Sequence, residues 1–223
     1  MRIVVMFVFL LALSGVGLGQ ERFVRPVDSA AEDPSFLAFR TKLIAAAERK
    51  DAAFILRILD PRINLSFGGH EGIADFKSMW KITSRNTKFW EEFLPVIKNG
   101  GTWWKGTSVD KIFYAPYTFD SFPEDIDAFT HEAIFGSNVN LREGPSTRSR
   151  VMAQLSYNVV TVETDPDTEA GKIRETRGWS KVRTLGGLSG WVRNDLVRSP
   201  IDYRAGFEKK RGVWKMVAFI AGD

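Results

Sequence analysis

The chain has 223 residues, 44% hydrophobic and 26% charged, with a formal net charge of +4 from 31 basic and 27 acidic side chains. That balance fits a soluble globular protein of one large or two small domains, and the slight, interspersed positive excess gives no footing for nucleic acid. Cysteine is absent, which excludes disulfides, a thiol nucleophile and a lipid anchor through cysteine.

Arg2 precedes an apolar run from Ile3 to Leu13, followed by Ser14-Gly15-Val16-Gly17-Leu18-Gly19. Charge, apolar core and small-residue exit predict a secretory signal peptide over residues 1–19, cut before Gln20. Its core is shorter than a spanning helix requires, so no integral membrane segment is expected after cleavage, and the mature protein is expected to be periplasmic or secreted. Residues 20–34, polar and carrying Pro26 and Pro34, read as a linker.

Asp33-Pro34-Ser35 is a helix start, with Asp33 as cap and Pro34 in the first turn. Phe36, Arg40, Leu43 and Ala47 then recur at helical spacing. A second short helix follows Asp51 and is ended by Asp60-Pro61. Ile63, Leu65 and Phe67 alternate with polar residues, the pattern of a strand. Gly72–Trp80 and Asn86–Lys98 are predicted helices, the latter bent or shortened by Pro95. Trp103-Trp104 and Ile112–Phe119 read as extended, and Asp120–Ala133 as a turn with a brief helix around Ile126 and Phe129.

From Gly136 to Ser199 the pattern changes to short strands. Val139 and Leu141 alternate with Asn138, Asn140 and Arg142, Gly144-Pro145-Ser146 opens a polar loop, and Val151, Leu155, Val159, Val160 and Val162 form the next apolar run. Trp179–Thr184 and Trp191–Asn194 flank Gly186-Gly187 and Gly190, where tight turns need glycine. Short strands separated by turns in this density favour a small β-barrel.

Beyond Pro200 a further aromatic stretch contains Tyr203, Phe207, Trp214, Phe219 and Ile220 around a turn at Lys209–Gly212. A lone hairpin is marginal in water. It is therefore expected to return to the N-terminal part and pair near Ile112–Phe119, the alternative being a terminal hairpin packed only on the barrel. The expected fold is an α+β N-terminal domain, residues 35–133 plus 201–221, interrupted by an all-β barrel over 136–199.

No catalytic pattern emerges. His70 and His131 are each followed by glutamate, but Ala74 and Phe135 stand where a zinc-protease helix needs its second histidine. The nucleophile elbow and the P-loop are missing. Glu71, Asp75, Glu91 and Glu92 could be paired for glycan hydrolysis, though Glu91-Glu92 beside Trp90 and Phe93 reads as the wet side of a helix. No metal, cofactor or covalent chemistry is predicted.

The runs N-V-N-L-R-E-G-P-S-T at Asn138–Thr147, G-W-S-K-V at Gly178–Val182 and G-x-x-G-W-V-x-x-x-L at Gly187–Leu196 resemble a bacterial SH3 domain. The resemblance implies a five-stranded SH3-like barrel acting as a targeting or recognition module of cell-envelope proteins, with peptidoglycan, a peptide or an envelope protein as partner. Two features depart from the family pattern: Tyr157-Asn158 after the second strand and a connection lengthened by Asp165–Gly171. Polar-edged aromatics suit such recognition, so the candidate ligand-binding residues are Arg142, Arg148, Tyr157, Trp179, Trp191 and Asn194. Trp179 and Trp191 could instead fill the barrel core, leaving Arg148 and Tyr157 as the cleaner probes. Ser35–Phe119 with the returning hairpin also resembles, in architecture alone, a cone-shaped ligand-binding domain of the nuclear-transport-factor type. That would imply a pocket, and with it a small-molecule-binding domain or a cell-wall hydrolase accessory as the alternative function.

Overall fold

The structure is a computed structural model that describes residues 19–104, 111–163 and 178–222. The expected leader, apart from Gly19, and the lengthened Asp165–Gly171 connection lie outside the described residues.

Asp33 starts helix α1 (Pro34–Glu48), its carboxylate accepting from the amides of Ser35 at 2.8 Å and Phe36 at 3.1 Å. Asp51 caps α2 (Ala52–Ile58) in the same way through the amide of Phe54. The chain then passes directly into strand β1 (Leu59–Asn64), earlier than the Ile63–Phe67 alternation indicates. Pro61 is tolerated there because β1 is an edge strand. Helices α3 (Gly72–Trp80) and α4 (Phe89–Lys98) follow. The latter starts three residues later than the apolar spacing suggests. Thr87 sets that start: its hydroxyl donates to the Trp80 carbonyl and accepts from the Phe89 amide.

The first sheet has the order β1-β12-β11-β3-β2, with β2 at Thr102–Trp104, β3 at Ile112–Ala115, β11 at Arg204–Lys210 and β12 at Val213–Ile220. Strand β11 runs antiparallel to β3, Phe207 opposite Phe113, and β12 runs parallel to β1. Arg211 and Gly212, both at positive φ, form the two-residue turn between β11 and β12, as the right-handed twist of a hairpin favours. The sheet thus draws strands from both sides of the barrel segment. Its interior is filled: Phe36, Phe76, Phe89, Phe93, Phe113, Phe207 and Phe219 are each less than 2% exposed. Phe36 alone lies within ring contact of Trp103, Phe113 and Trp214.

Extended structure after β3 is shorter than expected. It ends at Ala115, a cis bond joins Ala115 to Pro116, and helix α5 occupies Thr118–Ser121. The segment around Ile126 and Phe129 forms turns rather than a helix. Ile126 packs on a small cluster with Val24 and Tyr117, while Phe129 is exposed.

The second sheet is antiparallel throughout and has seven strands rather than five: β4 (His131–Ile134), β5 (Val139–Arg142), β6 (Val151–Leu155), β7 (Val159–Val162), β8 (Trp179–Thr184), β9 (Ser189–Arg193) and β10 (Val197–Arg198), in the order β10-β4-β7-β8-β9-β5-β6. Every strand sends a side chain into one cluster: Ile134, Val139 and Leu141, Leu155, Val160, Val182, Val192 and Val197. Both ends of the sheet therefore wrap the same core, as in a barrel. Strand β4 lies ahead of the expected boundary at Gly136. Ala133 and Ile134, fully buried, pair with Arg198 and Val197.

Residues 20–34 are a packed strap rather than a linker. The Glu21 carboxylate accepts from the amide of Gly186 at 2.9 Å and from Asn158 Nδ2 at 3.0 Å. Val24 is fully buried, its amide donates to the Tyr157 carbonyl, and the Val159 amide donates to Arg22. Further on, Asp28 bridges to Gly101 and receives the Arg40 guanidinium at 2.7 Å. Polar composition suggests a linker, but the backbone hydrogen bonds of this strap are satisfied by both bodies. Among the described residues no helix is long and apolar enough to cross a membrane.

Candidate functional site

The outer face of the barrel follows from strand alternation. In β5, Val139 and Leu141 point inward and Asn140 and Arg142 outward; in β9, Val192 points inward and Trp191 and Arg193 outward. Register then builds rows across the strands. Arg142 lies opposite Trp191, Trp191 opposite Lys181, and Arg193 opposite Trp179. A groove of about 330 Å³ opens beside these rows, between Asn138–Arg142, Thr147 of the following loop, Trp179, Arg193 and Leu196. Leu196 belongs to a short 3-10 turn, Asn194–Leu196, that precedes β10.

The groove walls are held by specific bonds. Arg142 donates from Nη1 to the Ser149 carbonyl at 2.8 Å, and the Glu143 amide donates to the Arg150 carbonyl at 3.0 Å, so the loop from Glu143 to Arg150 is closed on itself. Asn140 Oδ1 accepts from Gln154 Nε2 at 3.2 Å. Asn138 sits at φ 54°, its amide donating to the Ser156 hydroxyl; asparagine tolerates that left-handed backbone better than most residues.

The charges are unevenly committed. Glu163 receives Lys181 and Arg183 at 2.7 Å each and the Ser189 hydroxyl at 3.0 Å. Those contacts, Lys181 first, hold its carboxyl below the usual range against the opposing effect of burial. Lys181 and Arg183 thus share one carboxylate. Arg193 is paired with Asp195 at an exposed position, where such a pair is weak enough to yield to a ligand. Arg142 bonds a carbonyl and has no carboxylate partner among the described residues, so its cation remains available to an anionic group.

Of the six residues expected to bind ligand, two line this groove: Arg142 and Trp179. Trp191 is half-buried on the same outer face, in the row of Arg142 but outside the groove lining, and neither tryptophan belongs to the barrel core cluster. Asn194 instead fixes the 3-10 turn, accepting from the Ser180 hydroxyl at 2.8 Å. Arg148 is exposed at the loop tip, outside the groove lining. Tyr157 is displaced furthest. It sits at φ 61° between β6 and β7 and lines a separate depression with Pro26, Lys98 and Tyr117, where the barrel meets the strap. The residues that reading by type overlooks are Asn138, Asn140, Thr147, Arg193 and Leu196. The alternation already visible in β5 puts Asn140 on the Arg142 face, whereas the Arg193–Trp179 pairing depends on register and is not legible in one strand.

Of the four carboxylates weighed for hydrolysis, Asp75 accepts from the Glu71 amide at 3.3 Å. Asp75 approaches His70 at 3.4 Å on an exposed surface. Glu92 is half-buried on α4, where burial and then the nearby Asp202 raise its carboxyl, opposed by Arg198.

Residues 137–198 match the family model described as a bacterial SH3 domain. No curated protein and no solved structure matches the chain.

Proposed function

We propose that this is an exported envelope protein whose SH3 module captures a carboxylate-bearing peptide, the stem peptide of peptidoglycan, in the groove between Arg142, Trp179 and Leu196. The observation that carries this reading is the Arg142 guanidinium, bonded to a carbonyl but without a carboxylate partner among the described residues, beside an aromatic wall and a row of asparagine amides. An arginine fork suits a carboxylate, amides suit a peptide backbone, and the indole supplies apolar contact. The family match supports a binding module; peptidoglycan and proteins are its common ligands.

The N-terminal body and the last hairpin are read as one discontinuous α+β domain carrying the barrel as an insertion, a reading supported by the pairing of β11 with β3 and of β12 with β1. The filled aromatic interior of that body supports an interaction role over a pocketed small-molecule or hydrolase-accessory domain. Residues 1–19 supply the export signal, and the mature protein works in the periplasm or outside the cell.

Sedimentation with purified peptidoglycan tests the reading. Arg193→Gln and Arg142→Gln should each reduce the bound fraction as a roughly fivefold to tenfold loss of affinity, the size of one charge-assisted hydrogen bond, with circular dichroism unchanged. Undiminished sedimentation of both variants, or capture of an envelope protein in place of the wall, would reject the stem peptide as ligand.

A further inference from the structure

A second groove lies on the α+β body, away from the barrel. Trp103 forms its floor. Its indole is fixed edge-on by Phe36 and Phe113, with ring centroids 5.1 and 5.3 Å away, and its Nε1 donates to the Ser29 carbonyl at 2.9 Å. With the N–H committed and the ring half-exposed, what remains is rigid hydrocarbon surface. On one side is a depression of about 190 Å³ reaching Lys111, Glu208 and Trp214; on the other is one of about 330 Å³ reaching Val27 and Asp120. The two share Trp103 and Glu32. Together they form an elongated trough rather than a single cup.

The polar groups around it restrict what can bind. The Glu32 carboxylate and the Lys111 ammonium are both exposed and have no side-chain partner among the described residues. Asp33, Glu208 and Asp120 add negative charge at the rim against the one further cation among the described lining residues, Lys209, an acidic excess that disfavours a polyanion. A purely apolar ligand would leave the charged groups without partners. A sugar meets both demands, since its C–H face packs on an indole while its hydroxyls donate to carboxylates and accept from an ammonium. The elongated shape fits several linked sugars. The strap carries the trough onward: the second depression shares Val27 with the one beside Tyr157, which in turn shares Gly136 with the barrel groove.

We infer that the trough over Trp103 binds a linear glycan chain, giving the wall ligand a sugar footing on the α+β body beside its peptide footing on the barrel. The assignment of that glycan to the cell wall rests on the peptide reading; the sugar site itself does not.

The test is a titration of the full chain with chitohexaose, followed by tryptophan fluorescence and by amide chemical shifts. Saturable binding with a Kd of about 1 mM or tighter is expected, with shifts centred on Trp103 and Glu32. The double variant Glu32→Gln, Lys111→Met should bind about fivefold to tenfold more weakly, as loss of one or two hydrogen bonds implies. Both positions are exposed, so the fold should be unaffected. Arg193→Gln should bind the sugar as the unaltered chain does. No saturable change by about 10 mM, or equal binding by the double variant, overturns the sugar site. If chitohexaose fails while a stem tetrapeptide still shifts the barrel groove, only this inference falls. If the sugar binds and the tetrapeptide does not, only the peptide proposal falls.

Discussion

Arg40, 6% exposed on α1, places its Nη1 2.7 Å from both carboxylate oxygens of Asp28, while its Nε donates to the Ile97 carbonyl at 3.1 Å. One guanidinium thus joins the strap, α1 and the end of α4. Removing only the acid strands a buried cation, the costly way to break such a pair. Because the Asp28 side chain is about half exposed, at 49%, the loss is discounted. Asp28→Ala should cost about 2 kcal/mol, read as a lowered urea midpoint at constant slope. An unchanged midpoint would show that water replaces the carboxylate without penalty.

The strap should also stabilise the barrel. Val24 is fully buried between strap and barrel, and the Val159 amide donates to Arg22. Val24→Ala removes two methyl groups from a packed site, at a cost of about 1–2.5 kcal/mol. Hydrogen exchange should quicken at Val24 and Val159 before it does in β8 and β9. Uniform quickening across the barrel would show instead that strap and barrel unfold together.

Asp60 and Lys210 predict a particular acid response. Burial alone would raise the Asp60 carboxyl, but it is outweighed by Lys210 Nζ at 2.9 Å and the Arg62 amide at 2.9 Å, leaving it below the usual range, with Lys210 raised in turn. A depressed carboxyl adds stability above its unfolded pKa of about 4, and that stability is lost as pH falls through the folded value. Lys210 is partly solvated, at 36% side-chain exposure, so Asp60→Asn should cost about 1–2 kcal/mol at pH 7. It should also flatten the acid limb of a stability–pH curve. An unaltered acid limb would contradict the pairing.

Glu92 has the opposite sign. Burial first, then Asp202, raises its carboxyl against the pull of Arg198. A raised carboxyl contributes stability below its unfolded pKa and loses it as pH rises through the folded value. Glu92→Gln should therefore remove a decline in stability across the weakly acid range and leave the protein no less stable at neutral pH. Chemical denaturation at several pH values checks this; a large loss at pH 7 would show that Glu92 serves mainly as a partner for Arg198.

The legibility of the chain varied with how local the cause was. Asp33-Pro34 and Asp51 announce their helices because a cap acts within three residues. The barrel strands were legible because glycine turns and period-two alternation are local as well. The strap was not, because its order comes from partners far along the chain: Glu21 with Gly186, and Arg22 with Val159. Strand β4 was missed for a similar reason, since His131–Ile134 is short and gains its place only by pairing with β7 and β10. Of the candidates chosen by residue type, Arg142 and Trp179 lie along the barrel groove and Tyr157 lies in the depression beside the strap. A tyrosine at a turn reveals nothing of which way the turn faces, and its left-handed backbone directs this one toward the strap.

The central claim is that the groove beside Arg142 receives a peptide of the cell wall. Amide and indole chemical shifts of the full chain, titrated with a peptidoglycan stem tetrapeptide, test it most directly. The account predicts saturable shifts confined to Asn138–Arg142, Thr147, the Trp179 indole and Arg193–Leu196, weakened in Arg193→Gln. Shifts centred elsewhere on the barrel, or none as the peptide reaches millimolar concentration, would contradict it.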